Sequence, residues 1–240
     1  MKNRILFSLI IILTGTSLYS QTTFTKTQSI ALPAIGGNAP YNIASGLIDN
    51  DAFPDIAVST TLGNSVYWLK NDGSGVFTLQ STEISSTLNS AGGVAIADLN
   101  NDGFNDVVTT SYNDNRIVWF ANDGLGNFGT EQLISSTITG PSQVYVRQID
   151  GNSTPDVTVS SYTGNEVVWF SNDGSGNFGA KNIIDNTIAS TGAYAVKDID
   201  NDGDIDAVIA NSVAYGTPND CRIEVFYNDG SGIFTADTNP

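Results

Sequence analysis

The 240-residue sequence contains no histidine and a single cysteine, Cys221. A nucleophilic triad of the Ser-His-Asp or Cys-His kind is excluded, because such triads need an imidazole base. Zinc and copper sites are disfavoured as well, since His and Cys are their main ligands. One cysteine also excludes an intramolecular disulfide, so packing or metal binding must stabilise the fold.

Basic residues are scarce. Nine Lys and Arg face 25 Asp and Glu, which gives a formal net charge of −16. Such an excess disfavours partners whose phosphates must be neutralised, so neither nucleic acid nor an anionic membrane is expected as a partner. Only four acidic residues are Glu, and the abundant Asp favours loops and turns over helices. The composition therefore indicates a loop-rich chain that attracts cations.

Long apolar runs are absent beyond the N-terminus. Lys2 and Arg4 precede an apolar stretch from Ile5 to Leu13, and small and polar residues follow up to Ser20. This pattern predicts a secretory signal peptide at residues 1–20, with an apolar part too short to span a bilayer. The mature chain, residues 21–240, is expected to be secreted or held at the cell surface, without membrane insertion.

Two markers recur along the chain with a period of about 50 residues. One is an acidic loop that ends at Asp55, Asp106, Asp156 and Asp206. The other is a heptad, Asn-Asp-Gly-x-Gly-x-Phe, found at 71–77, 122–128, 172–178 and 228–234. The repeats are therefore placed at about 24–76, 77–127, 128–177 and 178–233.

Each repeat holds short apolar segments rich in Val, Ile, Thr and aromatic residues, bounded by Gly, Asn and Asp. Such segments are typical of strands, and four strands per 50-residue period indicate propeller blades. The predicted fold is all-β, a β-propeller or an open propeller arc of four four-stranded antiparallel blades. The segment Phe24 to Ile30 is expected to be an outermost strand, and the fourth unit is expected to supply three strands. An open arc from a truncated or longer parent chain is favoured over a closed four-blade ring.

The second and fourth acidic loops place side-chain oxygens at positions 1, 3, 5 and 9, with Gly at position 6 and a carbonyl available at position 7. Calcium takes six to eight such oxygens, so these loops are predicted calcium sites. The proposed ligands are Asp98, Asn100, Asp102, Phe104 and Asp106 in the second loop, and Asp198, Asp200, Asp202, Asp204 and Asp206 in the fourth.

The first and third loops are weaker candidates, because Leu47 and Gln148 stand at position 1 and neither loop has Gly at position 6. Their remaining candidate ligands are Asp49, Asp51 and Asp55 in the first loop, and Asp150, Asn152 and Asp156 in the third. The alternative for all four loops is a set of Asx turns that need no metal.

With both markers in register four times, the sequence resembles the FG-GAP or VCBS repeats of exported bacterial proteins, which are related to the propeller repeats of integrin α-subunits. The resemblance covers nearly all of residues 24 to 234. It implies a calcium-binding propeller of about seven blades, so four units are fewer than the family leads one to expect.

The leading functional hypothesis is a non-catalytic binding or adhesion module with structural calcium, whose partner is a glycan or an extracellular protein. The alternatives are an accessory propeller of a larger secreted polysaccharide-acting enzyme, or a calcium-dependent lyase or hydrolase. Trp68, Trp119 and Trp169 share one repeat position inside an apolar strand, which predicts core packing. The speculative ligand residues are Tyr112, Tyr162 and Tyr215, on the face opposite the acidic loops.

Overall fold

The structure is a computed structural model that describes residues 28–32, 39–188, 191–211 and 222–238. The regular secondary structure within these ranges consists of strands, which confirms the predicted all-β class. No helix of the described part is long and apolar enough to cross a membrane. The predicted signal peptide and Tyr215 lie outside the described residues.

The strands form four sheets of four. In chain order they are β1 Pro40–Gly46, β2 Asp55–Thr60, β3 Ser65–Asn71, β4 Phe77–Leu79, β5 Ala91–Ala97, β6 Asp106–Ser111, β7 Arg116–Phe120, β8 Gln132–Ser135, β9 Pro141–Arg147, β10 Asp156–Ser161, β11 Glu166–Asn172, β12 Phe178–Asp185, β13 Thr191–Lys197, β14 Asp206–Asn211, β15 Ile223–Asn228 and β16 Phe234–Ala236. Each sheet joins four consecutive strands in antiparallel order.

The sheets stack face to face in chain order. Three clusters of buried apolar side chains lie between the first and second, second and third, and third and fourth sheets. The middle strands are therefore buried on both faces, which explains why β7 reads as the continuous apolar run Ile117-Val118-Trp119-Phe120. No such cluster joins the fourth sheet to the first among the described residues. The four blades form an open arc.

The three tryptophans are buried at equivalent positions, as predicted. Each ring lies against the second glycine of the heptad in the following sheet: Trp68 on Gly126, Trp119 on Gly176, and Trp169 on Gly232. A Cβ at any of these glycines would collide with the ring, and all three have positive φ. Glycine is therefore required at this position for two reasons: the positive φ of the backbone, and the close contact with the tryptophan ring of the neighbouring sheet.

The heptad asparagine links neighbouring sheets. The side-chain amide of Asn122 donates to the carbonyl of Ile48 at 2.7 Å, and Asn172 donates to Leu99 at 2.9 Å. Asn228 repeats the bond with Ile149 at 2.8 Å. We call this bond the asparagine latch. Because each latch is buried, its carbonyl and its amide satisfy each other in the absence of water.

Two expectations about the ends of the arc need correction. The fourth sheet has four strands, not three, because Phe234–Ala236 pairs with β15 as its outermost strand. The fourth sheet is thus complete without the N-terminal segment. Of that segment the structure describes residues from Gln28 onward, which are not in a strand; the Gln28 side chain instead exchanges two hydrogen bonds with the backbone of Phe77. The sheet boundaries also differ from the repeat boundaries. The first repeat was placed at about 24–76, whereas the first sheet continues through β4, Phe77–Leu79.

Candidate functional site

The two ends of the strands carry different chemistry. The acidic loops join the first and second strands of each sheet, and the heptad hairpins join the third and fourth, so both lie at one end of the arc. The turns between second and third strands and the connections between sheets lie at the other end. Tyr112 and Tyr162 follow β6 and β10 at this second end, away from the acidic loops.

The fourth loop brings three carboxylates together. Oxygens of Asp198, Asp200 and Asp206 lie within 4.8 Å of one another, the one such cluster of three found among the described residues. Backbone amides of Asn201 and Gly203 hold the Asp198 carboxylate at 2.7 and 3.2 Å. The loop thereby presents converging hard oxygen ligands, the donor set that calcium prefers.

Electrostatic strain accompanies this arrangement. Loss of hydration, followed by repulsion from Asp202 and Asp206, raises the pKa of Asp200. Loss of hydration and then repulsion, first from Asp202 and next from Asp198, also raise the pKa of Asp204. No ion pair from Lys or Arg reaches this loop in the described part of the chain. A divalent cation would relieve the repulsion.

The second loop has the same frame but is closed by its own hydrogen bonds. Asp98 accepts from the backbone amides of Asp102 and Gly103 at 3.2 and 2.9 Å. The Asn100 amide donates to Asp102 at 2.9 Å. Asp102 also accepts from the backbone of Phe104, whose ring lies against Gly124. The described carboxylates of this loop do not form a cluster as close as that of the fourth loop, so its calcium assignment rests on the ligand sequence.

The last aspartate of every loop is fully buried and acts as a backbone tie. Both oxygens of Asp106 accept from backbone amides at 2.9 Å, one from Leu99 at the start of the loop and one from Asn122 after β7. Asp55, Asp156 and Asp206 repeat the arrangement. Burial raises the pKa of Asp106 and of Asp156 to about 6. In this structure these carboxylates connect the start of each loop to the end of the third strand through hydrogen bonds.

The first loop already contains a cation. The Lys70 ammonium, from the end of β3, forms an ion pair with Asp49 and lies 3.4 Å from Asp51. The hydrogen bond to Asp49 is the main cause that raises the pKa of Lys70. Lys70 therefore neutralises the two carboxylates that were weaker candidate ligands.

The third loop is satisfied by neutral groups. The Ser171 hydroxyl, at the position equivalent to Lys70, donates to Asp150 at 2.6 Å. The Asn152 oxygen accepts from the Thr154 hydroxyl at 2.7 Å, and its amide donates to the Asn172 carbonyl at 3.1 Å. The candidate ligands of this loop are thus all engaged, Asp156 in the backbone tie described above.

A cleft of about 310 Å³ lies at the other end of the arc, where all four sheets contribute. We call it the tyrosine cleft. Its lining residues are Tyr41, Thr61, Ser90, Gly92, Tyr112, Ser142, Tyr162 and Thr191. Tyr41 and Tyr162 are 52% and 44% exposed, and Tyr112 is half-buried, in contrast to the buried tryptophans.

One hydroxyl in this cleft has no partner. Thr191 is 1% exposed, and its Oγ1 forms no hydrogen bond although it is buried. A buried hydroxyl without a partner costs free energy that a hydrogen-bonding ligand would recover. Ser90, which also lines the cleft, has a φ of 62°, a conformation uncommon outside glycine and frequent at functional sites.

Sequence reasoning did not find Tyr41, Thr191, Lys70 or the asparagine latch. The latch had a signal, because the heptad begins with Asn in all four copies, where a simple turn accepts Asp or Ser as well. Lys70 and Tyr41 had none, because each occurs in one copy only. Their proximity to the sites depends on strand register, which the spacing of markers does not reveal.

Comparison with known proteins gives a family and a set of similar folds. The model of the FG-GAP-like repeat matches residues 48–109, 98–159 and 148–209. None of the curated proteins matches the chain.

The solved structures include an Agrocybe aegerita lectin described in its specific recognition of non-reducing terminal N-acetylglucosamine. It is 18% identical, with a TM-score of 0.57 over 83% of this chain and 51% of that chain. The V. cholerae biofilm matrix protein Bap1 is 19% identical, with a TM-score of 0.43 over 84% of this chain and 39% of that one. The chain thus spans about half the length of the lectin it matches, and the likeness concerns the fold.

The family model covers more than half of the chain, and its three matches run from the first acidic loop to β14 in the fourth sheet. The chain belongs to the FG-GAP-like repeat family.

Proposed function

We propose that the chain is a non-catalytic binding module of a secreted or cell-surface protein, and that the tyrosine cleft binds a saccharide. The observation that carries the proposal is the cleft itself, where three tyrosines and a buried unpaired hydroxyl from different sheets face one space of about 310 Å³. Its volume lies at the lower end of the range for small-molecule sites, about 300 to 1,000 Å³.

The chemistry of the lining favours a sugar ring. Tyrosine offers a flat apolar face with a polar tip, which suits a ring that is apolar on its C–H face and polar at its edge. The hydroxyls of Thr61, Ser90, Ser142 and Thr191 can donate and accept, as sugar hydroxyls require. Among the described residues, none that lines the cleft is charged, which favours a neutral ligand. The lectin named above binds N-acetylglucosamine, and a terminal sugar of that kind is our first candidate.

Calcium is assigned a structural role at the opposite end. Asp198, Asp200, Asp202 and Asp206, with the carbonyl of Asp204, would hold it in the fourth loop, and the equivalent set would hold it in the second. When bound, calcium would supply positive charge to a cluster whose members repel one another. The loops then keep the hairpins, and through them the latches, in place.

The raised pKa values do not indicate acid–base catalysis. Asp106 and Asp156 are buried at the acidic-loop end, and both oxygens of each accept backbone hydrogen bonds. Neither carboxyl can reach a substrate in the tyrosine cleft. We therefore attribute their pKa of about 6 to burial.

A glycan array probed with the mature protein in calcium tests the proposal. We expect selective binding that is lost in Tyr162→Ala and retained in Leu62→Ala. Leu62 is a matched control, because it is exposed in the equivalent turn of the first sheet but does not line the cleft. Binding that Tyr162→Ala leaves unchanged would remove the cleft from the proposal. An array without any binding, from correctly folded protein, would overturn the saccharide assignment.

A further inference from the structure

The fourth sheet presents a face that every other sheet buries. In the third sheet, Ile149, Val167 and Trp169 pack against the next sheet and are at most 5% exposed. Their counterparts in the fourth sheet are Ile199, Ile223 and Val225. Ile199 is 39% exposed, Ile223 is 72% exposed, and Val225 is half-buried. We call this the forward face of the fourth sheet.

The first sheet presents the complementary face. Ile43 is 68% exposed, whereas its counterparts Val94, Val144 and Tyr194 are 3 to 4% exposed against the preceding sheet. In the heptad of the first sheet, no described residue lies within 4 Å of a Cβ built at Gly75, whereas the equivalent glycines of the other copies contact a tryptophan. We call this the rear face of the first sheet.

The hydrogen bonds show the same incompleteness. The Asn71 amide bonds to the carbonyl of Pro54 within its own sheet and, among the described residues, to no carbonyl of another sheet. At the other end, no asparagine among the described residues donates to the carbonyl of Ile199, the counterpart of Ile48, Leu99 and Ile149. One chain therefore carries both halves of an unmade latch.

We propose that these faces join two copies of the chain head to tail, the forward face of one copy packing on the rear face of the other. Asn71 of each copy would then latch the Ile199 carbonyl of the second copy, and Ile43 would lose its exposure. A two-fold arrangement satisfies both ends of both copies at once and closes a ring of eight sheets, within the size range of propellers.

Two further observations favour a second copy over bare ends. A terminal repeat that faces solvent needs a polar outer face, whereas these two faces expose isoleucines. The junction also continues an interface that the chain already makes three times. Because each copy carries a net charge of −16, association is expected at about 0.15 M salt, where the Debye length is about 8 Å, and should weaken at low salt.

Sedimentation equilibrium of the mature chain tests the proposal, at about 100 µM, above the dissociation constant of weak dimers. We expect a mass twice that of the monomer. Ile43→Asp and Ile223→Asp should each return the mass to that of the monomer. Leu125→Asp should remain dimeric, because it makes the same change at an equally exposed leucine in the second hairpin, remote from both faces. Melting curves establish that all three variants are folded.

Mixing the two disrupted variants separates head-to-tail packing from other dimers. The Ile43→Asp chain keeps an intact forward face, and the Ile223→Asp chain keeps an intact rear face. Their equimolar mixture should therefore form dimers through one intact junction, although neither variant does so alone. A wild-type monomer, as expected if further blades of another chain or segment cover these faces, would overturn the proposal. So would a dimer that resists both substitutions, a mixture that stays monomeric, or a mass that grows without limit.

Discussion

The first and third acidic loops are satisfied by side chains of their own sheets, whereas the second and fourth are not. At the position just before the heptad, Lys70 and Ser171 reach into the first and third loops. The same position holds Ala121 and Tyr227 in the second and fourth sheets. The two loops with the best ligand sequences are thus the two that receive no side chain from this position. In the two loops that lack a calcium ligand at position 1, a side chain about 21 positions after the loop aspartate donates a hydrogen bond to that aspartate.

The largest effect is expected from removing the central aspartates of the second and fourth loops. A ligand that binds only the folded state at 100 times its Kd contributes about 2.7 kcal/mol per site. Asp102→Ala combined with Asp202→Ala should therefore abolish most of the rise in Tm that millimolar calcium gives the wild type, measured by calorimetry against chelator. Gln148→Ala, in the third loop, should keep the full response. Titration calorimetry that detects no calcium binding to folded wild-type protein would contradict the assignment.

Removing Lys70 from the first loop, or adding a lysine at the equivalent position of the second, should make the calcium responses of the two loops more alike. Lys70→Met leaves Asp49 and Asp51 unneutralised and should lower the free energy of unfolding in chelator by a small amount, since the lysine is partly exposed. Calcium should restore part of that loss. In the reciprocal variant, Ala121→Lys, the ammonium should stabilise the chelated protein and reduce its calcium response. An unchanged calcium response in Ala121→Lys would show that the equivalent positions are not interchangeable.

The third loop should depend on a neutral hydrogen bond. Ser171→Ala removes the hydroxyl that donates to Asp150 and should cost about 1 kcal/mol in urea denaturation. The loss should be the same with calcium and with chelator, because the other oxygens of this loop are engaged by the protein. Ser175→Ala, in the neighbouring hairpin, is the control and should have no effect. A loss that calcium reverses would place a cation in the third loop after all.

The smallest effect is expected in the pKa values of two buried aspartates, whose response to calcium distinguishes burial from cation binding. Asp106 and Asp156 have pKa values of about 6 in a calcium candidate loop and in a satisfied loop, respectively. Their folded-state pKa lies above 3.8, so the resulting stabilisation is present below about pH 4 and is lost as the pH rises through about 6. Carboxyl carbon NMR in chelator should give both midpoints near 6. Calcium should lower the midpoint of Asp106 and leave that of Asp156; equal behaviour would contradict a cation in the second loop.

Much of the fold could be predicted because its signals are local and repeated. The strands, the tryptophan positions and the placement of Tyr112 and Tyr162 away from the acidic loops follow from residue type and spacing. The fourth strand of the last sheet was missed because Phe234–Ala236 is short and has no apolar run. A pairing with β15 that is made by backbone atoms leaves little trace in a three-residue sequence.

The sites were harder to predict, because their decisive contacts join distant parts of the chain. Asp106 was identified as a ligand, but only the structure shows both its oxygens on backbone amides of Leu99 and Asn122. The cleft likewise combines Tyr41 and Thr191, which lie on the first and last sheets. Sequence analysis identifies the residue types, and strand register and sheet stacking decide which of them meet.

The asparagine latch also constrains the order in which the chain can fold. Asn122 lies 74 residues after the Ile48 carbonyl that it binds. During synthesis, the forward side of the first sheet therefore stays open until the whole second sheet and its hairpin have been made. The sheets are therefore expected to fold one after another. At any moment one forward face would be uncovered, in addition to the rear face of the first sheet. This order of folding limits the hydrophobic surface through which an incompletely folded chain could aggregate.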